Sequence, residues 1–491
     1  MNRKFSLKLA VLVLLVIVIA SSCKKYLDVN TNPNAPSKVD ISVVLPSAEI
    51  AIAQIVGYNF QVYGSMWVQH WTQNPSSSQY KAIDQYSPAA ADFDIGWKTL
   101  YVDALENLTF IVNTGTALGK TQYVACAKIL QAYTFQVLTD DFGDIPFSQA
   151  LKGDQGMISP KYDKQQDVYT GIITLLNQAI ALIDPNAPNA PTSNDLLLGG
   201  NMNTWLKFAN TLKLRVYLRQ SGVNPSVAQA GIMSLAGAQF LGAADEVKIV
   251  YTSTGGNTNP LYASMVALNG TQDLVASSTA IDTIWNWYDD RLPAFYNALA
   301  SGAGFGGSGY AGITQGNYNA GIPISAISIP SAAVGGFSDP SSAPAPVKLM
   351  TGYESLFLQA EAAMRGWLAG SDQSLYQQGI TANYVSYGIN DTLPPYYYAA
   401  GMPAAYPVAG TLQAKLNAII TQKWIAMNGN QGNEAWNEWR RTGYPTLATS
   451  LASIIGPGRF PARFYYPSSE INTNPNCPGQ QFIYTKVWWA K

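Results

Sequence analysis

Aromatic and amide side chains cluster in one short stretch of the sequence, within and just after a QHWTQ motif at residues 69–73. Trp71, Tyr80 and Tyr86 supply flat rings that can stack on an apolar ligand face. Gln73 and Asn74 supply uncharged hydrogen-bond donors and acceptors. A sugar ring needs both kinds of group, because its apolar C–H faces are edged by hydroxyl groups. We therefore expect these five residues to line a ligand site.

Two further segments carry the same mixture of groups. Gln315, Asn317 and Tyr318 lie in a Gly-rich stretch, where glycines allow the backbone to approach a ligand closely. The alternative for this stretch is a flexible loop that faces a protein partner. Tyr396 opens a run of three tyrosines, which is interpreted either as a stacking platform or as an exposed turn.

Buried packing is the alternative for several of these residues. Trp67 and Trp71 are four residues apart and are predicted to share one helical face, where both can belong to the core. We expect Tyr80 and Tyr86 to face the ligand. Replacing either tyrosine by alanine should then weaken ligand binding and leave the thermal unfolding midpoint nearly unchanged.

Carboxylates and the single histidine are poor candidates for catalysis or metal binding. Asp289 and Asp290 are adjacent, whereas a glycosidase needs two carboxylates about 5 to 10 Å apart across a cleft. The acidic run TDDFGDIP, residues 139–146, lacks EF-hand spacing and is more typical of a cap between a helix and a turn, although calcium stays open. His70 has no second histidine with which to share zinc, so a structural role is favoured.

Composition excludes other classes of protein. The 491 residues carry a net charge of -1, and only 12% are charged, so a basic nucleic-acid surface is excluded. One histidine and three cysteines exclude a multi-histidine zinc site and a dense disulfide scaffold. A bond between Cys126 and Cys477 is neither implied nor excluded.

The N-terminus predicts export and lipidation. Basic residues precede an apolar stretch at 9–20, which has the length of a signal peptide rather than of a membrane span. Small residues then lead to Cys23, in a pattern that resembles a bacterial lipobox. We expect residues 1–22 to be a signal peptide and residues 23–38 to be a lipidated N-terminus and tether. An ordinary signal peptide followed by a chance cysteine is the alternative.

The remaining chain, 39–491, is predicted to be one mainly α domain. Apolar residues recur at a helical period in four successive segments that we interpret as helix pairs, at about 95–140, 165–221, 351–388 and 410–442. Small residues allow such pairs to approach closely, which indicates a TPR-like repeat scaffold. Between the halves, residues 292–347 contain one charged residue and many glycines, and predict a long irregular loop.

Several sequence runs together resemble the SusD/RagB family of Bacteroidetes outer-membrane lipoproteins, and specifically its SusD-like 2 branch. The runs are SCKKYLD (22–28), QHWTQ (69–73), FGDIPFSQA (142–150), WLKFANTLKLRVYLR (205–219), DDRLPAFY (289–296), GYESLFLQAEAAMRGW (352–367), ITQKWIAMNGNQGNEAWNEWRRTGYP (420–445) and PARFYYPSSEINTN (461–474). They occur in the family's order over essentially the whole mature chain. Asp290 and Ala462 depart from the common pattern and leave the assignment unchanged.

The resemblance implies a TPR-like scaffold whose irregular loops form the ligand-binding face. It also implies a protein anchored by lipid at the cell surface on the outer membrane, which captures an oligosaccharide for import through a SusC-like TonB-dependent transporter. Family members that bind peptides or other nutrients provide the alternative ligand class. No catalysis and no cofactor are implied. A surface glycosidase and a purely protein-binding assembly lipoprotein are the competing classes.

Overall fold

Helices account for most of the regular structure in the computed structural model, which describes residues 39–254 and 256–491. The predicted signal peptide, Cys23 and the tether lie outside the described residues. The α-helices are Ile41–Gln54 (α1), Phe60–Trp67 (α2), Lys81–Asp84 (α3), Asp94–Lys98 (α4), Glu106–Ala117 (α5), Thr121–Phe142 (α6), Gln165–Leu182 (α7), Met202–Arg219 (α8), Pro225–Met233 (α9), Pro260–Ala267 (α10), Ser278–Asn286 (α11), Leu292–Phe295 (α12), Gly352–Met364 (α13), Asp372–Ser386 (α14), Pro394–Tyr397 (α15), Leu412–Ala426 (α16), Gly432–Thr442 (α17) and Ser468–Thr473 (α18). Two π-helical segments, Ile55–Asn59 and Thr99–Leu105, connect α1 to α2 and α4 to α5.

The strands are short and tie distant parts of the chain together. They are Trp71–Gln73 (β1), Ile145–Pro146 (β2), Tyr162–Asp163 (β3), Glu246–Ile249 (β4), Leu274–Ala276 (β5) and Val347–Thr351 (β6). Three antiparallel pairs form, β1 with β5, β2 with β3 and β4 with β6. The first and third pairs close long loops, so they bring the first half of the chain against later segments.

The predicted helix pairs correspond to packed helices. Helix α5 packs on α6, α7 on α8, α13 on α14 and α16 on α17, all within one compact unit, Ile41–Lys491. The predicted mainly α, TPR-like fold is confirmed. The local reason is visible at the helix starts, where Thr351, Ser371 and Thr411 each accept a bond from a backbone N–H three residues on, at 3.2 Å.

Helix α1 was not predicted, and α2 was predicted only at its end, through Trp67; nearly all residues of α2 and many of α1 are buried. The stretch Ile41–Trp67 is long and apolar enough to cross a membrane, but 61% of its apolar window is buried inside the fold, as in a core helix. The prediction that Trp67 and Trp71 share a helical face is wrong. Helix α2 ends at Trp67, Gln69 adopts a positive φ of 63°, and Trp71 begins β1.

A network of ion pairs crosses the centre of the fold. It joins five helices, α6, α8, α13, α16 and α17, and its members are Asp140, Asp141, Arg215, Arg219, Glu354, Glu361, Arg365, Lys423, Glu434, Glu438, Arg440 and Arg441. All except Arg365 are buried. The six acidic and six basic side chains balance in formal charge, which is the condition for burying charge at an acceptable cost.

Arg219 occupies the centre of this network. It contacts Asp140 at 3.4 Å, Glu434 at 2.6 Å and Glu438 at 2.5 Å. Burial raises the pKa of Glu438, but the charges of Arg441, Lys423 and Arg219 outweigh burial and hold that pKa well below its usual range. Each helix therefore depends on the others for neutralisation of its charges.

The acidic run at residues 139–146 divides between two roles. Asp140 and Asp141 do not cap a turn, because both lie inside α6 and pair with arginines of the network. Burial raises the pKa of Asp141, although Arg440 lies 3.3 Å away. Asp144 does cap a helix, since its carboxylate accepts a bond from the N–H of Gln165 at 2.9 Å, at the start of α7. No group of three or more His, Cys, Asp and Glu that could hold a metal occurs among the described residues.

The long loop at 292–347 is irregular but held in place by its backbone. The N–H of Ser278 donates to the carbonyl of Ile313, and the N–H of Ile313 donates to the carbonyl of Ala276. Ser328 and Ser331 make further backbone bonds within the loop. A small apolar cluster formed by Val275, Ile313 and Ile327 lies beneath it. The loop thus has a fixed path without forming a sheet.

A buried carboxylate pair lies between α1 and α8. Glu49 is fully buried next to Asp195 and accepts a bond from the N–H of Leu196 at 2.8 Å. Asp195 accepts the indole N–H of Trp205 at 2.7 Å. Burial, followed by the charge of Asp195, raises the pKa of Glu49 well above its usual value. The folded protein therefore favours a proton on Glu49.

Replacing Arg219 by methionine should lower the free energy of unfolding by about 3–5 kcal/mol, because three buried carboxylates lose their common partner. Urea denaturation measures this change. Arg365→Met is the matched control: the Arg365 side chain is 21% exposed, and Glu361 keeps Arg441 as a partner, so a loss below about 1 kcal/mol is expected. Equal losses in the two variants would contradict a central role for Arg219.

The Glu49 proton predicts a pH dependence. The protonated Glu49 side chain makes its full contribution to the free energy of unfolding below the ordinary glutamate pKa. This contribution is lost as the pH rises through the raised pKa of Glu49 in the folded protein. Glu49→Gln mimics the protonated form, so this variant should unfold at a higher temperature than the wild type at pH 8. Its unfolding temperature should also decline less than that of the wild type between pH 5 and 8, a range that lies above the ordinary glutamate pKa. Asp391→Asn, at an exposed position, should follow the wild-type curve.

Candidate functional site

A buried carboxylate joins the segment around β1 to the Gly-rich loop. Asp84, at the end of α3, accepts the hydroxyl of Thr72 at 2.7 Å and the N–H of Gln73 at 3.0 Å. Its second oxygen accepts the amide of Gln315. Burial raises the pKa of Asp84 to about 6, and these hydrogen bonds partly offset that rise. The two segments are therefore held in one arrangement.

A third segment, at residues 448–454, completes this arrangement. The N–H of Leu451 donates to the carbonyl of Gln315 at 2.9 Å, and the N–H of Ile454 donates to the carbonyl of Gln85 at 3.1 Å. The N–H of Ser450 donates to the hydroxyl of Tyr86 at 3.1 Å. Three stretches that are far apart in sequence thus form one continuous region.

Eight of the nine sequence-predicted ligand residues lie in this region, but most are buried. Seven side chains are buried, and they are Trp71, Gln73, Asn74, Tyr80, Tyr86, Gln315 and Tyr318. Asn317 is half-buried. The alternative of buried packing therefore applies to these seven side chains, and many of their polar groups bind one another and the backbone. Gln73, for example, donates to Ser77 at 2.6 Å and accepts the N–H of Tyr80 at 2.5 Å.

The expectation for alanine substitutions changes for the same reason. Tyr86 is fully buried, and its ring lies 6.0 Å from that of Phe460. Removing such a ring leaves a cavity and costs about 3–5 kcal/mol. Tyr86→Ala therefore lowers the unfolding midpoint and does not isolate a ligand contact.

The surface above the buried residues is formed by five side chains, Lys81, Gln85, Asn317, Leu451 and Ile454, which we name the loop face. Gln85 donates to the hydroxyl of Tyr318 at 3.0 Å, and the ammonium of Lys81 lies 5.2 Å from the centre of the Tyr318 ring. Leu451 and Ile454 are 67% and 69% exposed. The loop face thus presents amide, cationic and apolar groups on a fixed base.

A small polar cavity adjoins the loop face. It has a volume of about 170 Å³ and is lined by Tyr58, Tyr63, Gln79, Tyr80 and Asp92, among others; we name it the tyrosine pocket. The hydroxyl of Tyr63 donates to the carboxylate of Asp92 at 3.3 Å. Burial raises the pKa of both Tyr63 and Tyr80, so their hydroxyls stay protonated. The pocket can therefore form uncharged hydrogen bonds, with Asp92 as the one carboxylate among these five side chains.

The sequence singled out Tyr80 in this pocket and missed its other walls. Tyr63 lies on α2, in a part of that helix that the sequence analysis did not single out. Tyr58 lies in the π-helical turn before it. Asp92 belongs to none of the sequence motifs, so residue spacing did not indicate that it would line a pocket. The pocket forms because the start of the fold packs against the stretch after β1.

Tyr396 lies apart from the loop face. Its side chain is 75% exposed on α15, which packs against α14. Its neighbour Tyr397 is buried and accepts a bond from Gln422 at 2.7 Å. Among the described residues, no hydrogen bond or ring contact connects Tyr396 with the loop face. The three tyrosines therefore do not form one platform.

His70 has the structural role that the sequence favoured. It is fully buried, and its Nε2 lies 3.0 Å from the carbonyl of Trp424. Burial lowers its pKa to about 3, so the ring is neutral at physiological pH. His70 thus connects α16 to the turn before β1.

A larger cavity of about 630 Å³ lies beside α4 and the following π-helical segment. Ile95, Trp97, Tyr101, Val102 and Leu151 give it a mainly apolar lining. Its lining also includes the charged residues Asp94, Lys98 and Glu470, whereas the tyrosine pocket presents mainly uncharged hydroxyl and amide groups to a sugar.

Solved structures share this fold. One is a chitin-binding protein, with 24% identity, a TM-score of 0.77 and coverage of 92% of this chain and 100% of the other. A SusD homolog from Bacteroides uniformis has 23% identity, a TM-score of 0.77 and the same coverage. A chitin-binding SusD homolog from Flavobacterium johnsoniae has 23% identity, a TM-score of 0.75 and coverage of 91% and 98%. No curated protein matches the sequence. At these identities the likeness shows the fold.

A family model gives the stronger assignment. The SusD-like 2 model, described as "Starch-binding associating with outer membrane", matches residues 33–467. This range covers the helix pairs, the Gly-rich loop, the loop face and the tyrosine pocket. The resemblance inferred from the sequence motifs is confirmed, and the chain belongs to the SusD-like family.

Proposed function

We propose that this protein captures an oligosaccharide at the cell surface for import through a SusC-like TonB-dependent transporter. The observation that carries the proposal is the tyrosine pocket, where uncharged hydroxyl and amide groups surround a small cavity beside the loop face. The family description, starch binding in association with the outer membrane, supports a carbohydrate ligand. Two proteins of similar fold are described as chitin-binding.

The two surfaces have complementary tasks. In the tyrosine pocket, Tyr63, Gln79 and Asp92 bind sugar hydroxyls, and the Tyr80 ring forms an apolar wall. The next residue, Lys81, belongs to the loop face, so the surfaces adjoin. A second sugar unit would lie along the loop face, near the Gln85 amide. Because the buried Asp84 junction fixes both segments, little ordering is needed on binding.

The carboxylates considered for hydrolysis have other partners. Asp289 is fully buried and receives two bonds from the Arg291 guanidinium, at 2.9 and 2.6 Å. Asp140 and Asp141 belong to the ion-pair network. None of these side chains faces a cleft in which a glycosidic bond could lie, which favours a binding protein over a surface glycosidase.

Surface anchoring completes the proposal. Lipid attached to Cys23 would hold the protein on the outer membrane, and two or more acyl chains are needed for stable anchoring. Family membership supports the proposed transporter partner. A peptide is the alternative ligand, and the exposed Leu451 and Ile454 beside the amides of the loop face would suit its side chains.

Gln79→Ala and Tyr63→Phe should each weaken binding of a neutral oligosaccharide by about two- to tenfold, because each removes one hydrogen bond to the ligand. Isothermal titration of the mature protein with chitooligosaccharides and maltooligosaccharides measures the affinity. The unfolding midpoint of Gln79→Ala should stay close to the wild type, and that of Tyr63→Phe should fall slightly, because the Tyr63 hydroxyl also donates to Asp92.

Two control variants separate the candidate sites. Val385→Ala, on an exposed face of α14, should leave affinity unchanged. Tyr396→Ala should also have no effect, and a loss confined to that variant would move the site to α15. Binding of tri-alanine without binding of either glycan would contradict the proposal and support the peptide alternative.

Replacing Cys23 by serine should prevent acylation and release the protein from the membrane fraction. Metabolic labelling with radioactive palmitate, followed by fractionation, measures both effects. Cys126→Ser is the matched control, because Cys126 is a buried free cysteine. Membrane retention of the Cys23 variant with no label would contradict the lipid anchor.

A further inference from the structure

A second cleft lies behind the loop face, between the end of α17 and the last residues of the chain. Its volume is about 280 Å³. Three rings, Trp439, Phe460 and Tyr484, and three basic side chains, Arg459, Lys486 and Lys491, line it. We name it the basic cleft. The sequence motifs singled out none of these six residues as ligand contacts.

The rings of the basic cleft are held in place. Trp439 and Phe460 have ring centres 4.7 Å apart, and the indole N–H of Trp439 donates to the carbonyl of Pro445 at 3.1 Å. Phe460 also lies 6.0 Å from Tyr86, the buried ring beneath the loop face. The basic cleft is therefore built against the same core as the proposed glycan site.

The charge of the basic cleft is uncompensated by side chains. No Asp or Glu is among its lining residues. Within the described residues, Arg459, Lys486 and Lys491 make no ion pair, whereas Arg440 in the wall is paired with Asp141. Three cations without an ion-pair partner at one cleft contrast with the net charge of -1 of the whole chain.

Ring faces and cations occur together in this cleft. The Arg459 guanidinium lies 4.4 Å from the centre of the Tyr484 ring and is exposed to solvent on its other side. A guanidinium binds a carboxylate through two parallel hydrogen bonds, and a flat ring binds the C–H face of a sugar. A ligand that satisfies both groups has a carboxylate on a sugar ring, as in a hexuronic acid.

We propose that the basic cleft binds a hexuronic acid unit of the captured glycan. The proposal rests on the proposed carbohydrate-binding function and extends it to acidic polysaccharides. Arg459 and Lys486 bind the carboxylate, and Trp439 and Phe460 support the sugar ring. Lys491 also lines a neighbouring cavity of about 300 Å³, which gives room for a further unit of the same chain.

The test compares acidic and neutral ligands on the full mature chain. Isothermal titration with oligogalacturonate should show binding that Arg459→Ala and Lys486→Ala each weaken at least tenfold. Raising the sodium chloride concentration should weaken it as well, because salt screens exposed charges. Both residues are exposed, so the variants should keep the wild-type unfolding midpoint. Lys161→Ala, at a lysine 56% exposed and distant in sequence, should change nothing.

Other outcomes would overturn the inference. If inorganic sulfate displaces oligogalacturonate at equal concentration, the cleft selects charge and not an acidic sugar. If phosphatidylglycerol vesicles bind through Arg459 and oligogalacturonate does not bind, the cleft faces a lipid headgroup. Binding of neutral chitooligosaccharides that depends on Gln79, together with no binding of oligogalacturonate, would remove the acidic-sugar inference alone. If the protein binds neither chitooligosaccharides nor oligogalacturonate, the proposed function is contradicted as well.

Discussion

Mutual neutralisation of buried charge is the constraint on which the scaffold depends. Arg219 reaches carboxylates on α6 and α17, and Arg215 reaches Glu354 on α13 at 2.8 Å. A helix that moved away would leave a charge buried without a partner, and such a charge costs several kcal/mol. The ion pairs therefore fix how the helix pairs are placed relative to one another, which apolar contacts alone do less specifically.

A scaffold fixed in this way supports irregular loops. The segments after β1, in the Gly-rich loop and at residues 448–454 contain little regular structure, yet each is attached to the others at defined atoms. Asp84 is the main point of attachment, because it accepts bonds from two of the three segments. Long loops usually lose entropy when they bind a ligand, and here much of that cost is already met in folding.

The helix pairs were predicted from apolar residues that recur at a helical spacing. Helix α1, and α2 before Trp67, were not predicted, although both are largely buried in the fold. The ion-pair network was also missed, since Arg219 and Glu434 lie far apart in the chain and only folding brings them to 2.6 Å.

The candidate site shows a different limit. Residue type identified the right region, since Trp71, Gln73 and Gln315 meet there, but it could not distinguish groups that bind a ligand from groups that bind each other. Every hydrogen-bonding side chain can do either, and burial decides which. The tyrosine pocket is lined by residues 58–63, 79–83 and 92, and the basic cleft by residues 439–443, 458–462 and 484–491, so neither cavity has a signature in one stretch of sequence.

Apart from the side chains of Gln315 and Tyr318, the Gly-rich loop is attached through its main chain, at Ile313, Ser328 and Ser331. Main-chain bonds do not depend on which side chains the loop carries. Outward-facing positions of this loop can therefore accumulate substitutions over generations without loss of the fold.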